Sequence, residues 1–131
     1  MIHIVYLLPS IRKTNGVCSC IFNYIDGYDQ SKYKITIMAN ETNASDYYID
    51  YCKNNNIELI LLPDYAVHGF KAFLKPIKAY FKANKSKIDV FHCNVVNQGG
   101  VVLRYAKKAK VKLRILHSHA TCGSDNKIKN L

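Results

Sequence analysis

His117 and His119 bracket Ser118, so on an extended segment both imidazoles point to one side. An imidazole titrates near neutrality, which suits a histidine at the carboxyl end of a sheet strand to substrate contact or proton handling. The same position also suits a capping or hydrogen-bonded histidine with a structural role. His92, Cys93 and Cys122 could be drawn with this pair around a metal, yet no spacing among them follows a zinc pattern. No metal is therefore expected. Cys18 and Cys20 fall inside a helical stretch, where packing is the simpler role.

A second candidate is Asn15-Gly16, which opens the first helical stretch. Free amides and the helix dipole there would favour a phosphate, although Asn-Gly before a helix is also an ordinary turn plus cap. Neither GxGxxG nor GxxxxGK[ST] occurs, so the dinucleotide and P-loop fingerprints are absent. A third candidate is a basic face. At 100° per residue Lys71, Lys75, Lys78, Lys82 and Lys85 fall within roughly an 80° arc, beside an arc of Phe70, Phe73, Leu74, Ile77, Tyr80 and Phe81. A solvated surface helix explains this pattern; contact with acidic lipid or a polyanionic acceptor is the sharper reading. Pro76 costs a continuous helix about 3 kcal/mol, so a break or new start is expected there.

The elements that must position these residues alternate between apolar runs and amphipathic stretches. Strands are expected over residues 2–8, 34–39, 57–62, 88–92 and 112–117. Helices are expected over 16–27, 44–55, 70–85 and 97–109. This alternation implies an α/β fold: a Rossmann-like open parallel sheet of about five strands, ordered 3-2-1-4-5, with helices on both faces. Ligands of such sheets bind outside the carboxyl ends of the strands. The loop after the first strand, His92–Asn94 and His117–His119 all converge there.

The chain has 131 residues, enough for one domain, and its 49% hydrophobic content excludes disorder as the main state. No apolar stretch approaches the roughly 20 residues of a membrane helix, and the opening MIHIVYLLP does not read as a signal peptide. A cytoplasmic location follows as the expectation. Five cysteines cannot all pair with one another, which argues against a disulfide-stapled secreted domain. The net charge of +10 is uneven: residues 71–114 carry twelve basic side chains against Asp89 alone. Such a field suggests an anionic partner near the second half.

The order of IHIVYLLPS, TNGVCSCIFNYIDGYDQSKYKITIM, IDVFHCN and VVLRYAKKAKVKLRILHSHAT resembles the amino-terminal, acceptor-side domain of family-4 glycosyltransferases of GT-B fold. The nearest branch is that of bacterial capsular and exopolysaccharide synthesis. The resemblance runs from the first strand to about residue 129, and its most specific part is VKLRILHSHAT. It implies a nucleotide-sugar donor, a glycan or lipid-linked acceptor, no cofactor or metal, and retention of anomeric configuration. It places Asn15 and Gly16 at the donor phosphates and sugar, His117 at the reaction centre with His119 second, and His92 and Asn94 along the acceptor cleft.

Three positions depart from the family pattern. Its Gly-Gly loop is Asn15-Gly16 here, which asparagine tolerates because it accepts left-handed geometry. Its His-x-His is His92-Cys93-Asn94. The glycine ending the next helix is Lys110, at a cost of about 1 kcal/mol if that position is left-handed. The family's donor-binding domain is not in these 131 residues, so the resemblance implies residues 1–131 as a single incomplete domain, inactive alone unless a separate donor-domain chain completes it. The lysine face would allow peripheral contact with an anionic membrane. The alternative is a freestanding flavodoxin-like module binding a nucleotide or phosphate. Nucleic acid is not expected, because the aromatic residues form a core-like stripe and do not interleave with the basic face.

Overall fold

The computed structural model describes residues 1–119. Five parallel strands, β1 (Ile2–Leu8), β2 (Tyr33–Asn40), β3 (Glu58–Leu62), β4 (Val90–Cys93) and β5 (Leu113–Leu116), form one sheet in the order β3-β2-β1-β4-β5. Helices α1 (Gly16–Asp26), α2 (Asp46–Asn54), α3 (Tyr65–His68), α4 (Phe70–Ala83) and α5 (Val96–Lys108) connect them. The α/β, Rossmann-like architecture expected from the apolar alternation is the one observed. None of the described helices is long and apolar enough to cross a membrane.

β1 is apolar on both sides because it lies at the centre of the sheet. Ile4, Tyr6 and Leu8 pack with Ile35 and Ile37 of β2 against α1 and α2, through Ile21, Phe22, Ile25 and Tyr48. Val5 and Leu7 face the other way and pack with Met38 and Phe91 against α4 and α5, through Phe73, Ile77, Phe81, Val102 and Ala106. Period-2 alternation thus feeds two separate cores, each closed by a pair of helices.

The amino-terminal edge is tied by a buried polar hub. Thr36 Oγ1 lies 2.9 Å from both His3 Nε2 and Tyr80 Oη, and 3.3 Å from Glu58 Oε1. His3 Nδ1 donates to the Lys87 carbonyl at 3.3 Å, so Nε2 of the neutral ring is an acceptor. Burial, reinforced by the charge of Lys34, holds His3 below the ordinary histidine range. Asp89 accepts from the His3 amide and from Lys112, which clamps β1 to the start of β5.

The structure corrects three expectations. α4 passes through Pro76 without a break, and the new start lies seven residues earlier at Gly69, whose φ of 87° separates α3 from α4. The lost amide is offset by the burial of Phe73, Ile77 and Phe81 on either side of the proline. Lys85 lies beyond the end of α4, in the turn that follows. Finally, five helices stand where four were expected, α3 being the addition. Its start is specified by Asp64, whose carboxylate accepts from the Ala66 amide and the Thr42 hydroxyl.

Candidate functional site

β4 and β5 are adjacent and in parallel register, with His92 opposite Ile115, so the chain leaving β5 passes over the end of β4. The His117 amide donates to the Cys93 carbonyl at 2.8 Å, one last ladder bond that fixes where the histidine pair begins. The imidazoles of His92 and His117 stack with centroids 5.3 Å apart and planes 9° from parallel. His92 Nε2 and His117 Nδ1 are 3.2 Å apart, a hydrogen bond in which one nitrogen donates and the other accepts. His117 and His119 stack at 3.9 Å, as expected for residues two apart on an extended segment. His92, Asn94, His117 and His119 thus come together at the carboxyl edge.

Asn94 fixes the far end of this stack. Its amide Nδ2 donates to the His92 carbonyl at 3.3 Å, which leaves Oδ1 to accept from His119 Nε2 at 2.6 Å. A carbonyl oxygen can only accept, so His119 carries its proton on Nε2, and Nδ1 of the neutral ring keeps a free lone pair. Burial first, then the charges of His117 and His119, lower the His92 pKa; burial and His117 lower that of His119. Near neutral pH the rings of His92 and His119 are therefore hydrogen-bonding groups and not fixed cations.

Sequence reasoning missed four residues on this edge. Tyr6 follows the β1 alternation into the sheet, and its ring lies 5.4 Å from His92. Its hydroxyl meets that of Tyr28 at 2.7 Å, and burial raises its pKa. Ser10 Oγ and Arg12 Nε, in the segment after β1, and Gln98 Oε1, in the first turn of α5, are buried without a hydrogen-bond partner among the described residues. Such atoms cost about 1–3 kcal/mol each when unpaired. The signal for them was in the topology: the β1 and β4 loops flank the point where chain connections diverge to opposite sides of the sheet.

Asn15 does not take the left-handed geometry expected of it. Its φ of −89° is extended, and its Oδ1 accepts from the Cys18 amide at 3.0 Å as the N-cap of α1. One of the amides proposed for a phosphate is therefore already satisfied. Gly16 has open space around the position of a Cβ, so a ligand could approach its backbone closely. Among the described residues no interaction joins Asn15 or Gly16 to the histidines, although both lie on the same edge of the sheet. Lys71, Lys75, Lys78 and Lys82 sit on α4 and form a separate surface.

The described residues contain no group of three or more His, Cys, Asp or Glu side chains arranged to hold a metal. The three rings stack; they do not converge on a point. Cys93 is buried and donates to the Val95 carbonyl, turned away from the rings, and Cys122 lies outside the described residues.

No protein-family model matches this chain, and no curated protein matches it. Among solved structures, it is similar to 1-deoxy-D-xylulose 5-phosphate reductoisomerase from Zymomonas mobilis in complex with NADPH, with 12% identity and a TM-score of 0.45. The match covers 89% of this chain and 38% of that one. A likeness of this degree carries no argument about function.

Proposed function

We propose that this chain is the acceptor-side half of a sugar-transferring enzyme of GT-B type, acting with a nucleotide-sugar donor on a glycan or lipid-linked acceptor. The observation that carries the reading is the stack of His92, His117 and His119 braced by Asn94 at the carboxyl edge. Imidazole nitrogens, which can give or take a hydrogen bond, suit sugar hydroxyls, which do both as well. Ser10, Arg12 and Gln98 offer further polar atoms to a hydroxyl-rich ligand from the β1 and β4 loops. The donor nucleotide would be held by a second domain, from further residues or from another chain. His117, the exposed central ring of the stack between His92 and His119, is the positioning group, and a retaining transfer needs no base on the opposite face.

The test is a titration of the isolated chain with nucleotide-sugars and oligosaccharides, followed through the imidazole NMR signals. Shifts confined to His92, His117 and His119, with His3 and His68 unmoved, are the expected result. When the chain is joined to a matching donor domain, His117→Ala should lower transfer about 10²-fold while leaving the fold intact. A chain that ignores every sugar ligand but binds free nucleotide or phosphate tightly would replace this reading with a flavodoxin-like binding module.

A further inference from the structure

The second half of the chain concentrates lysines on a surface of α4 and α5 that no histidine lines. Lys71, Lys75, Lys78 and Lys82 project from α4 and are all exposed. With Leu74 and Tyr105 they line an open groove of about 470 Å³ between α4 and α5. A neighbouring hollow of about 210 Å³ is rimmed by Lys78, Lys82, Lys85 and Lys108 around Tyr105. No acidic side chain lines either one. The Lys78 ammonium sits 6.0 Å from the centre of the Tyr105 ring, its charge held over an aromatic face without a counter-ion among the described residues.

An apolar projection begins where this basic face begins. Tyr65, Val67 and Phe70, on α3 and the first turn of α4, are exposed, Val67 by 72%. Tyr65 and Phe70 lean on Phe73 beneath them, at 5.7 Å and 6.1 Å, so the corner is anchored to the core while its tip stays outside. Gly69 sets the turn with its positive φ. The nearby acids are already engaged: Glu41 lies 3.4 Å from His68, and Asp64 caps α3.

From these observations we infer that the α3–α4 corner and the lysine face of α4 dock on an anionic lipid bilayer. α4 cannot lie in the membrane by its apolar stripe, because Phe73, Ile77 and Phe81 are already buried against the sheet. Attachment therefore combines lysines at the headgroup level with insertion of the corner's exposed side chains. Nucleic acid fits this surface less well. Single strands stack on successive exposed aromatics set among basic residues, whereas here Tyr65 and Phe70 are exposed only at the corner, Tyr105 is half-buried in the groove, and Phe73 and Phe81 lie under the helix. The inference stands apart from the sugar reading, since no histidine of the carboxyl edge takes part.

Flotation with vesicles of phosphatidylcholine alone, and of phosphatidylcholine with about one third phosphatidylglycerol, tests it. The chain should bind the acidic vesicles only, and binding should weaken steeply between roughly 0.02 and 0.15 M salt. The triple variant Lys75→Gln, Lys78→Gln, Lys82→Gln should lower partitioning on the order of 100-fold. Val67→Ser, at a position outside the core, should lower it about tenfold with an unchanged circular dichroism spectrum and Tm. Equal binding to neutral vesicles, or none to acidic vesicles at low salt, would overturn the inference. So would indifference to Val67→Ser, or a single-stranded RNA bound more tightly than the acidic vesicles.

Discussion

Replacing Thr36 by valine keeps the shape of a fully buried side chain and deletes only its hydroxyl. That hydroxyl donates to His3 on β1 and accepts from Tyr80 on α4, with Glu58 on β3 as the alternative acceptor at 3.3 Å, so its removal acts on three elements at once. Two neutral hydrogen bonds at 2.9 Å are lost, each worth about 1 kcal/mol net, and the buried His3 Nε2 is left needing a partner at a further 1–3 kcal/mol or so. The Tyr80 hydroxyl already stands 3.4 Å from that nitrogen and can close on it, which recovers part of the loss. The net destabilisation comes to about 2–3 kcal/mol. At about 2.1 cal/mol/K of unfolding entropy per residue, that lowers Tm by about 7–11 °C. Urea and thermal unfolding at pH 7.5 read it directly, and a double-mutant cycle with Tyr80→Phe should give a coupling of about 1 kcal/mol. A loss below about 0.5 kcal/mol, the range of an ordinary surface substitution, would refute the hub as a tie between helix and sheet.

Acid should weaken the fold in a defined window. His3 is held below its unfolded value, so the folded chain binds fewer protons; stability is complete above about pH 6.5 and is lost as pH falls below it. His92 and His119 are lowered too and add to the same limb, and His3→Gln should flatten it in a plot of urea midpoint against pH. Lys110 holds a φ of 58° in the turn after α5, where the Val111 amide bonds the Ala106 carbonyl and its own amide bonds Lys107, so Lys110→Gly should raise stability by about 1 kcal/mol in urea melts. Asn15→Ala should lose about 1 kcal/mol with the cap of α1, while Asn15→Asp keeps it; equal loss in both would mean that the side chain does not act as a cap.

The fold was legible because each strand of a doubly covered parallel sheet must be apolar on both faces, and runs such as IHIVYLL have few other homes. Strand ends were less so. Residues 112–117 read as one strand, but β5 closes at Leu116, and this puts His117 just past the sheet, where its ring is free to stack. The histidine cluster could be foreseen from the crossing of β4 and β5. The role of Asn94 could not, because it depends on which way a single amide faces. Pro76 misled because local propensity marks a break, whereas tertiary burial on both sides of it holds α4 straight through. Lys110 behaved as its place after a helix required, left-handed despite its Cβ.

The position of β1 also has consequences for how the chain is made. It is synthesised before the other four described strands and yet ends in the middle of the sheet, hydrogen-bonded to β2 on one edge and to β4 on the other. The β2 edge can close once residue 40 has emerged, whereas the β4 edge waits until residue 93. At about 5–20 residues per second, that interval lasts about 3–10 s. Throughout it the central strand presents one open edge, and its second face stays uncovered until α4 emerges late in the interval and incompletely covered until α5 follows. A nascent chain in this state is a template for pairing with its neighbours on a polysome. Holdase chaperones would meet it there, and slowing translation between β2 and β4 should cost soluble yield more than slowing it anywhere else.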